Sequence, residues 1–549
     1  MNNVKPYFFI TVGLLSIGIA LNSFADSEND PFGDHINAKL LKFESQWRPF
    51  NNLAAHKYNE FVHVFNTDLS GSKSIEQVLR SHFREKINDQ DPNEETLLMV
   101  AASNGASAVA KALINVGADV NLQNKKGYTA LMAAVFNNHI DVIKILLNAK
   151  AHIDLKNNTG STALMEATYL GHIDAVKKLL SARPNINAQN NLNLTALIIA
   201  AYKNHDTILQ MLLKAGAHIN LKNNAGNTAL IEATYKGHIN AVKTLISAKA
   251  LLNEQNNDGT TALMCTVYMG HTYIAYLLLN AGADADLKHK NGITALMEAA
   301  CKGSIDMVKI VLDAGADVNV QEETKSLTTL LFSASLGHTT IMQMLLNAGA
   351  KTDLKSTDGV TALLEVTAKG NLDAVKILLN AGADVNAQTA AKNSSLLLAA
   401  HKGHTDIVQA LLDAGAHVNL KGEGEATALI EACANGHIDI VKMLLNAGAD
   451  VNAQNTARGT SLMWAAFKGH ADIVQLLLEA GARTDLKNSK DQTAQDCAWL
   501  GKHTQIAKNI RSFTNSKIKS ENTSKNQNAS ESKSTDNSLY GQLLNAIGL

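Results

Sequence analysis

Proline is nearly missing from this sequence: five residues in 549, and only Pro184 lies beyond residue 92. Proline breaks helices by removing an N–H donor and clashing with the preceding turn, so most of the chain is open to helix. Aromatic residues make up only 5%. A core must therefore be built from Ala, Leu, Ile and Val, and at 46% hydrophobic residues there is enough for a large one. Neither sign of charge dominates: 49 Lys and Arg against 50 Asp and Glu leave −1. That balance excludes a chain coated in positive charge for nucleic acid or an anionic membrane surface. The four cysteines, Cys265, Cys301, Cys433 and Cys497, are far apart and show no C-x-x-C spacing. They read as small core residues rather than a metal site or a disulfide framework. Beyond residue 25 no apolar run reaches the ~20 residues that span a membrane.

What is present begins with a targeting segment. Lys5 precedes an apolar stretch over residues 7–21, and Ser23-Phe24-Ala25 places small residues where a signal peptidase cuts. Residues 1–25 are expected to be a signal peptide, with an uncleaved anchor as the alternative. The mature protein is then periplasmic or secreted, with no membrane insertion after cleavage.

The rest is dominated by repetition. A capping Thr or Ser followed by small and apolar residues recurs at Thr96, Thr129, Thr162, Thr195, Thr228, Thr261, Thr294, Thr328, Thr361, Ser394, Thr427, Thr460 and Thr493. Eleven intervals are 33 residues and one is 34, its extra residue lying in 321–327, between helices. In the unit starting at Thr460, the hydroxyl can cap a first helix whose slim face is Leu462, Ala465 and Ala466. Gly469-His470 makes a turn, and Ile473, Val474, Leu477 and Leu478 form one stripe of a second helix that Gly481 ends. Two such short helices cannot bury both faces alone, so neighbours must stack. The fold class is mainly all-α, a solenoid of stacked helix-turn-helix units.

Thr427-Ala-Leu-Ile-Glu-Ala-Cys-Ala-Asn-Gly-His437, with Val441, Leu444, Leu445 and Gly448 to Asn452, resembles an ankyrin repeat. The similarity covers residues 94–512. It implies about 13 stacked helix pairs with short β-hairpin loops, and protein binding as the activity. The family's Thr-Pro-Leu-His is Thr-Ala-Leu-Met or a variant throughout. Lys150, Arg183 and Lys249 replace the helix-ending glycine, at ~1 kcal/mol each if they must be left-handed. Residues 26–93 are expected to form a helical N-terminal cap. Residues 513–537, rich in Ser, Asn and Lys, read as a disordered linker, and residues 538–549 as a short amphipathic segment.

Three columns are candidates for function. Histidines recur ten residues after the capping residue, as in His139, His172 and His205. Helices ~8–10 Å apart cannot bring successive rings onto one ion, and the resemblance implies a structural role in the turn. Seven residues after the cap, Phe136, Tyr169, Tyr202, Tyr235 and Tyr268 form an aromatic stripe. The resemblance places it on the concave, ligand-varying face, so these five are the expected protein-binding residues, with partial core packing as the alternative. Finally, Lys156, Lys222, Lys288, Lys355 and Lys421 stand ten residues before Glu166, Glu232, Glu298, Glu365 and Glu431, in alternate repeats only. Five Lys accompanying five Glu are read as structural ion pairs, or else as a charged ligand stripe, and as the mark of an ancestral two-repeat unit.

No nucleophile–base set, phosphate loop or metal motif is visible. The expectation is a non-enzymatic, exported protein-binding scaffold with no catalytic residues, cofactor, metal or nucleic-acid partner. A structural tether of the cell envelope, docked through its tail, is the alternative.

Overall fold

The computed structural model describes residues 75–82 and 84–518. The expected signal peptide, residues 26–74 of the cap region, the linker from residue 519 and the 538–549 segment lie outside them.

Each repeat starts where its Thr or Ser hydroxyl accepts the backbone N–H three residues on, as from Met132 to Thr129 (3.2 Å) and from Ile198 to Thr195 (3.2 Å). One such cap contributes ~1 kcal/mol. That matters because helices of seven to ten residues are too short to persist alone in water. The rest of their stability comes from stacking. First helices lie between two neighbours and are buried nearly all round: Ala196–Lys203 buries Ala196, Leu197, Ile198, Ile199, Ala200 and Ala201. Second helices have one covered face, so Asp206–Lys214 buries only Ile208, Leu209 and Leu212. The scarcity of aromatics follows from this geometry, since Ala lets first helices approach closely.

The turn between the helices explains the Gly-His pair. Gly171 sits at φ +74°, and a side chain there would approach the His205 ring to 2.8 Å. Lys150, Arg183 and Lys249 do adopt left-handed backbone, at φ +64°, +58° and +63°. Each therefore carries the steric cost that glycine avoids.

The loops differ from the expected β-hairpins. Among the described residues no extended strand forms, and pairing is confined to isolated bridges such as Gln388 with Ser394 and Gln454 with Thr460. Asparagine side chains close the turns instead: Asn157 Oδ1 accepts from Thr159 N (3.0 Å) and Ser161 N (2.9 Å). A backbone bond also closes each turn, as from Asn157 N to Ser161 O (3.0 Å), and further backbone bonds run from loop to loop along the array. Asn158 N donates to Lys126 O, Asn191 N to Thr159 O and Asn224 N to Leu192 O, each at 3.0 Å. A second ladder joins Asn121 Oδ1 to His152 N (2.7 Å), and Asp154 Oδ1 to Asn185 N (2.9 Å).

The array continues at both ends. Helix Ile75–His82 stands one repeat before Ser107–Val116 and packs on it. Its loop joins the ladders, with Gln90 Nε2 donating to Gln123 O (2.9 Å) and Asn88 Oδ1 accepting from Asp119 N (2.8 Å). Residues 75–93 are thus a repeat's second helix and loop. At the other end residues 504–518 are helical, so the expected linker does not begin at 513. Thr514 Oγ1 donates to Thr484 Oγ1 at 3.0 Å and holds the extra turns to the array. The chain divides into two compact units between Glu323 and Thr324, inside the stretch that holds the extra residue.

Candidate protein-binding face

The aromatic stripe stands at the C-terminal ends of the first helices. Phe136, Tyr169, Tyr202 and Tyr268 are part-exposed, whereas Tyr235 is 8% exposed and belongs to the core. The rings are interleaved with lysines from the following repeat, eight residues after its cap. Lys203 Nζ lies 4.1 Å from the Tyr169 ring centroid, Lys236 Nζ 4.5 Å from Tyr202, and Lys302 Nζ 4.0 Å from Tyr268. Lys203 and Lys236 also approach the rings of their own repeats, Tyr202 (5.8 Å) and Tyr235 (5.6 Å). An ammonium over a ring face is worth ~0.5–2 kcal/mol, more as water is excluded. Sequence reading singled out the rings and missed the lysines, although the eighth position is Lys in six repeats.

The Lys–Glu pairs do not form. Lys156 Nζ instead donates to Gln189 O (2.7 Å), Lys222 Nζ to Gln255 O (2.8 Å), Lys288 Nζ to Gln321 O (3.5 Å) and Lys355 Nζ to Gln388 O (3.2 Å). Lys222 also pairs with Glu254, and Lys421 with Glu425. The alternate repeats do the same job with glutamine: Gln189 Nε2 reaches Lys222 O at 3.1 Å, and Gln255 Nε2 reaches Lys288 O at 2.8 Å. Both side chains supply a long arm ending in an N–H donor, which the next loop's carbonyl requires.

The glutamates point the other way, inward. Glu166 Oε1 accepts from Asn157 Nδ2 (2.9 Å), and Glu232 Oε1 from Asn223 Nδ2 (2.8 Å) and Asn227 Nδ2 (3.0 Å). Glu365 accepts from Ser335 Oγ (2.8 Å) and lies 3.5 Å from Lys369, Glu298 lies 3.7 Å from Lys302, and Glu431 meets His401 Nδ1 (2.8 Å). Glu166, Glu232, Glu365 and Glu431 are fully buried. The second carboxyl oxygens of Glu166, Glu232 and Glu365 meet no partner. Desolvation therefore favours the protonated form, raising Glu166 to about 8 and shifting Glu232, Glu298 and Glu365 upward too.

The histidines reach back to the preceding repeat: His139 Nε2 meets Ser103 O (2.9 Å) and His172 Nε2 meets Phe136 O (3.2 Å). They tie the turn of one repeat to the helix end of another. Burial pushes the thiols of Cys265 and Cys301 up to about 12, so they stay protonated and unreactive. Among the described residues no helix is long and apolar enough to cross a membrane.

The family model of ankyrin repeats (three copies) matches residues 69–157, 98–190, 164–256, 230–322, 318–389, 387–455 and 429–521. The first match includes the half repeat at residues 75–93, and the last includes the extended terminal helix. No curated protein matches the chain.

Proposed function

The chain belongs to the ankyrin-repeat family, and from that premise we propose that it is a non-enzymatic scaffold holding a protein partner on its inner-helix face. Phe136, Tyr169, Tyr202 and Tyr268 are the aromatic anchors, and Lys203, Lys236 and Lys302 their polar companions. The observation that carries this reading is exposure: these four rings remain part-exposed on helices whose other apolar side chains are almost all buried. Aromatic rings of this kind are over-represented among residues that dominate binding energy. Tyr235 contributes packing rather than contact. The proposed location, periplasmic or secreted, rests on the sequence of residues 1–25 alone.

The test replaces Tyr169, Tyr202 and Tyr268 by Ala and compares partner capture from the native compartment with that of the unaltered chain. A loss of about thirtyfold or more, ~2 kcal/mol, with unchanged helicity and melting is the expected result. Full capture by a folded variant overturns the reading.

A further inference from the structure

Twelve of the thirteen first helices carry Ala, Val, Thr or Cys six residues after the cap, and in all twelve that residue is buried. The thirteenth carries Trp499, which is 47% exposed, and Leu500 beside it is 56% exposed. The position is covered wherever a repeat follows and open where none does among the described residues. Trp499 therefore lies on the face against which a further repeat would stack. The ends of a stacked array need a polar outer face, and part of this one has it. Three residues after the cap, where the other repeats bury Met, Ile or Leu, stands Asp496. Its Oδ2 accepts from Thr493 N (2.9 Å) and Thr493 Oγ1 (2.7 Å), so it serves the start of its own helix. Trp499 and Leu500 depart from that plan.

A half-exposed Trp and Leu present on the order of 200 Å². That is far below the ~1,200–2,000 Å² in total that a stable contact between separate chains buries. A segment tethered to the same chain needs much less, because a short linker holds it at millimolar effective concentration. The sequence beyond residue 518 meets that requirement. Leu539, Tyr540, Leu543, Leu544 and Ile547 recur at the spacing of one helix face, and residues 538–549 include no charged side chain. Twelve residues are too few for a helix to persist alone in water, so such a segment gains its fold from what it packs on. The reach also matches. Residues 504–518 lead away from the turn at Gly501, and fifteen helical residues carry the chain ~22 Å from Leu500. The 19 residues of 519–537 hold one alanine and no larger apolar side chain. A chain of that length without secondary structure spans ~24 Å root-mean-square. Local concentration is highest when the linker's span equals the distance to be bridged.

We propose that residues 538–549 fold as a short helix onto the end face of their own array, covering Trp499 and Leu500 in place of a further repeat. This contact is independent of the protein-binding face at Tyr169, Tyr202 and Tyr268.

The test is fluorescence anisotropy with a labelled peptide of residues 538–549 as the probe. It is added to the unaltered full chain and to a full chain with Leu543→Asp and Leu544→Asp, which empties the face without touching the array. The peptide should bind this variant saturably and with little effect of salt. It should bind the unaltered chain about tenfold more weakly, because there the chain's own segment competes at millimolar concentration. Adding Trp499→Ala and Leu500→Ala to the variant should abolish binding, with helicity and melting unchanged by circular dichroism. The comparison of the first two chains alters no residue of the array and decides even where the Ala pair disturbs folding. The inference is overturned by a peptide that binds neither chain or both equally, or by binding that survives loss of Trp499 and Leu500. It is also overturned by an unaltered chain that sediments as a dimer and becomes monomeric in the Leu543→Asp, Leu544→Asp variant, since the segment then covers a second copy.

Discussion

Glu166 shows what one buried residue does to the pH response of the array. Its carboxyl holds a proton to about pH 8 in the folded chain, because burial penalises the anion, and it releases that proton near 4.5 when unfolded. Between these values the folded state binds more protons than the unfolded state, so the slope of unfolding free energy with pH is negative. Its contribution is full below pH 4.5 and is lost as pH rises through 8. His205 and His404 run the opposite way: burial lowers their pKa, so they add stability as pH rises through the ordinary histidine value of 6.5. The clean readout is therefore a difference. Urea unfolding of the unaltered chain and of Glu166→Gln at pH 5 and pH 9 should show the variant gaining relative stability at pH 9, on the order of a few kcal/mol. A difference independent of pH, or one of opposite sign, would mean that Glu166 is ionised in the folded chain.

At the scale of the element, the loops hold the surprise. The alternation of Lys and Gln before each first helix was legible in the sequence, and so was the matching alternation of Glu within the helix. Their supposed contact was not, because two columns copied together in a two-repeat unit covary whether or not they touch. Lys156 reaches forward to the next loop, and Glu166 turns inward to Asn157 of its own loop. Only coordinates give those directions, since both arms start from the same short stretch of chain. If Lys156 serves as a donor to Gln189 O, Lys156→Gln keeps stability within ~0.5 kcal/mol, while Lys156→Met lowers it by ~1 kcal/mol. A double-mutant cycle of Lys156→Met with Glu166→Gln should then give a coupling near zero. A coupling of 1 kcal/mol or more would restore the ion pair. The caps behaved differently: a Thr or Ser followed by small and apolar residues was sufficient to place every first helix, because an N-cap acts over three residues and needs nothing remote.

Over the whole molecule the period of 33 predicted the array, and the chain divides into its two units between Glu323 and Thr324, inside the one interval of 34. The half repeat at residues 75–93 was not legible as a repeat, because the recognisable motif lies in the first helix and this unit shows only a second helix and loop. A quasi-one-dimensional stack has stability close to a sum of repeat and neighbour terms, so deleting two repeats ordinarily costs more than deleting one. The two-repeat alternation predicts the reverse here. Deleting residues 195–260 joins Leu194 to Thr261 and puts Cys265 where Ile199 stood, after the repeat of Glu166, so a small apolar residue still follows a glutamate. Deleting residues 195–227 puts Glu232 in that place. Two buried carboxyls then occupy consecutive repeats, and Glu232 loses the donor Asn227, whose place Leu194 takes, while Asn190 falls into the position of Asn223. An unsatisfied buried acceptor costs ~1–3 kcal/mol. The shorter deletion should therefore unfold at lower urea than the longer one when both are compared at pH 7 by circular dichroism. If the 33-residue deletion proves the more stable, the repeats are interchangeable singly, and the pairing of Lys with Glu-bearing units is only a record of how the array grew.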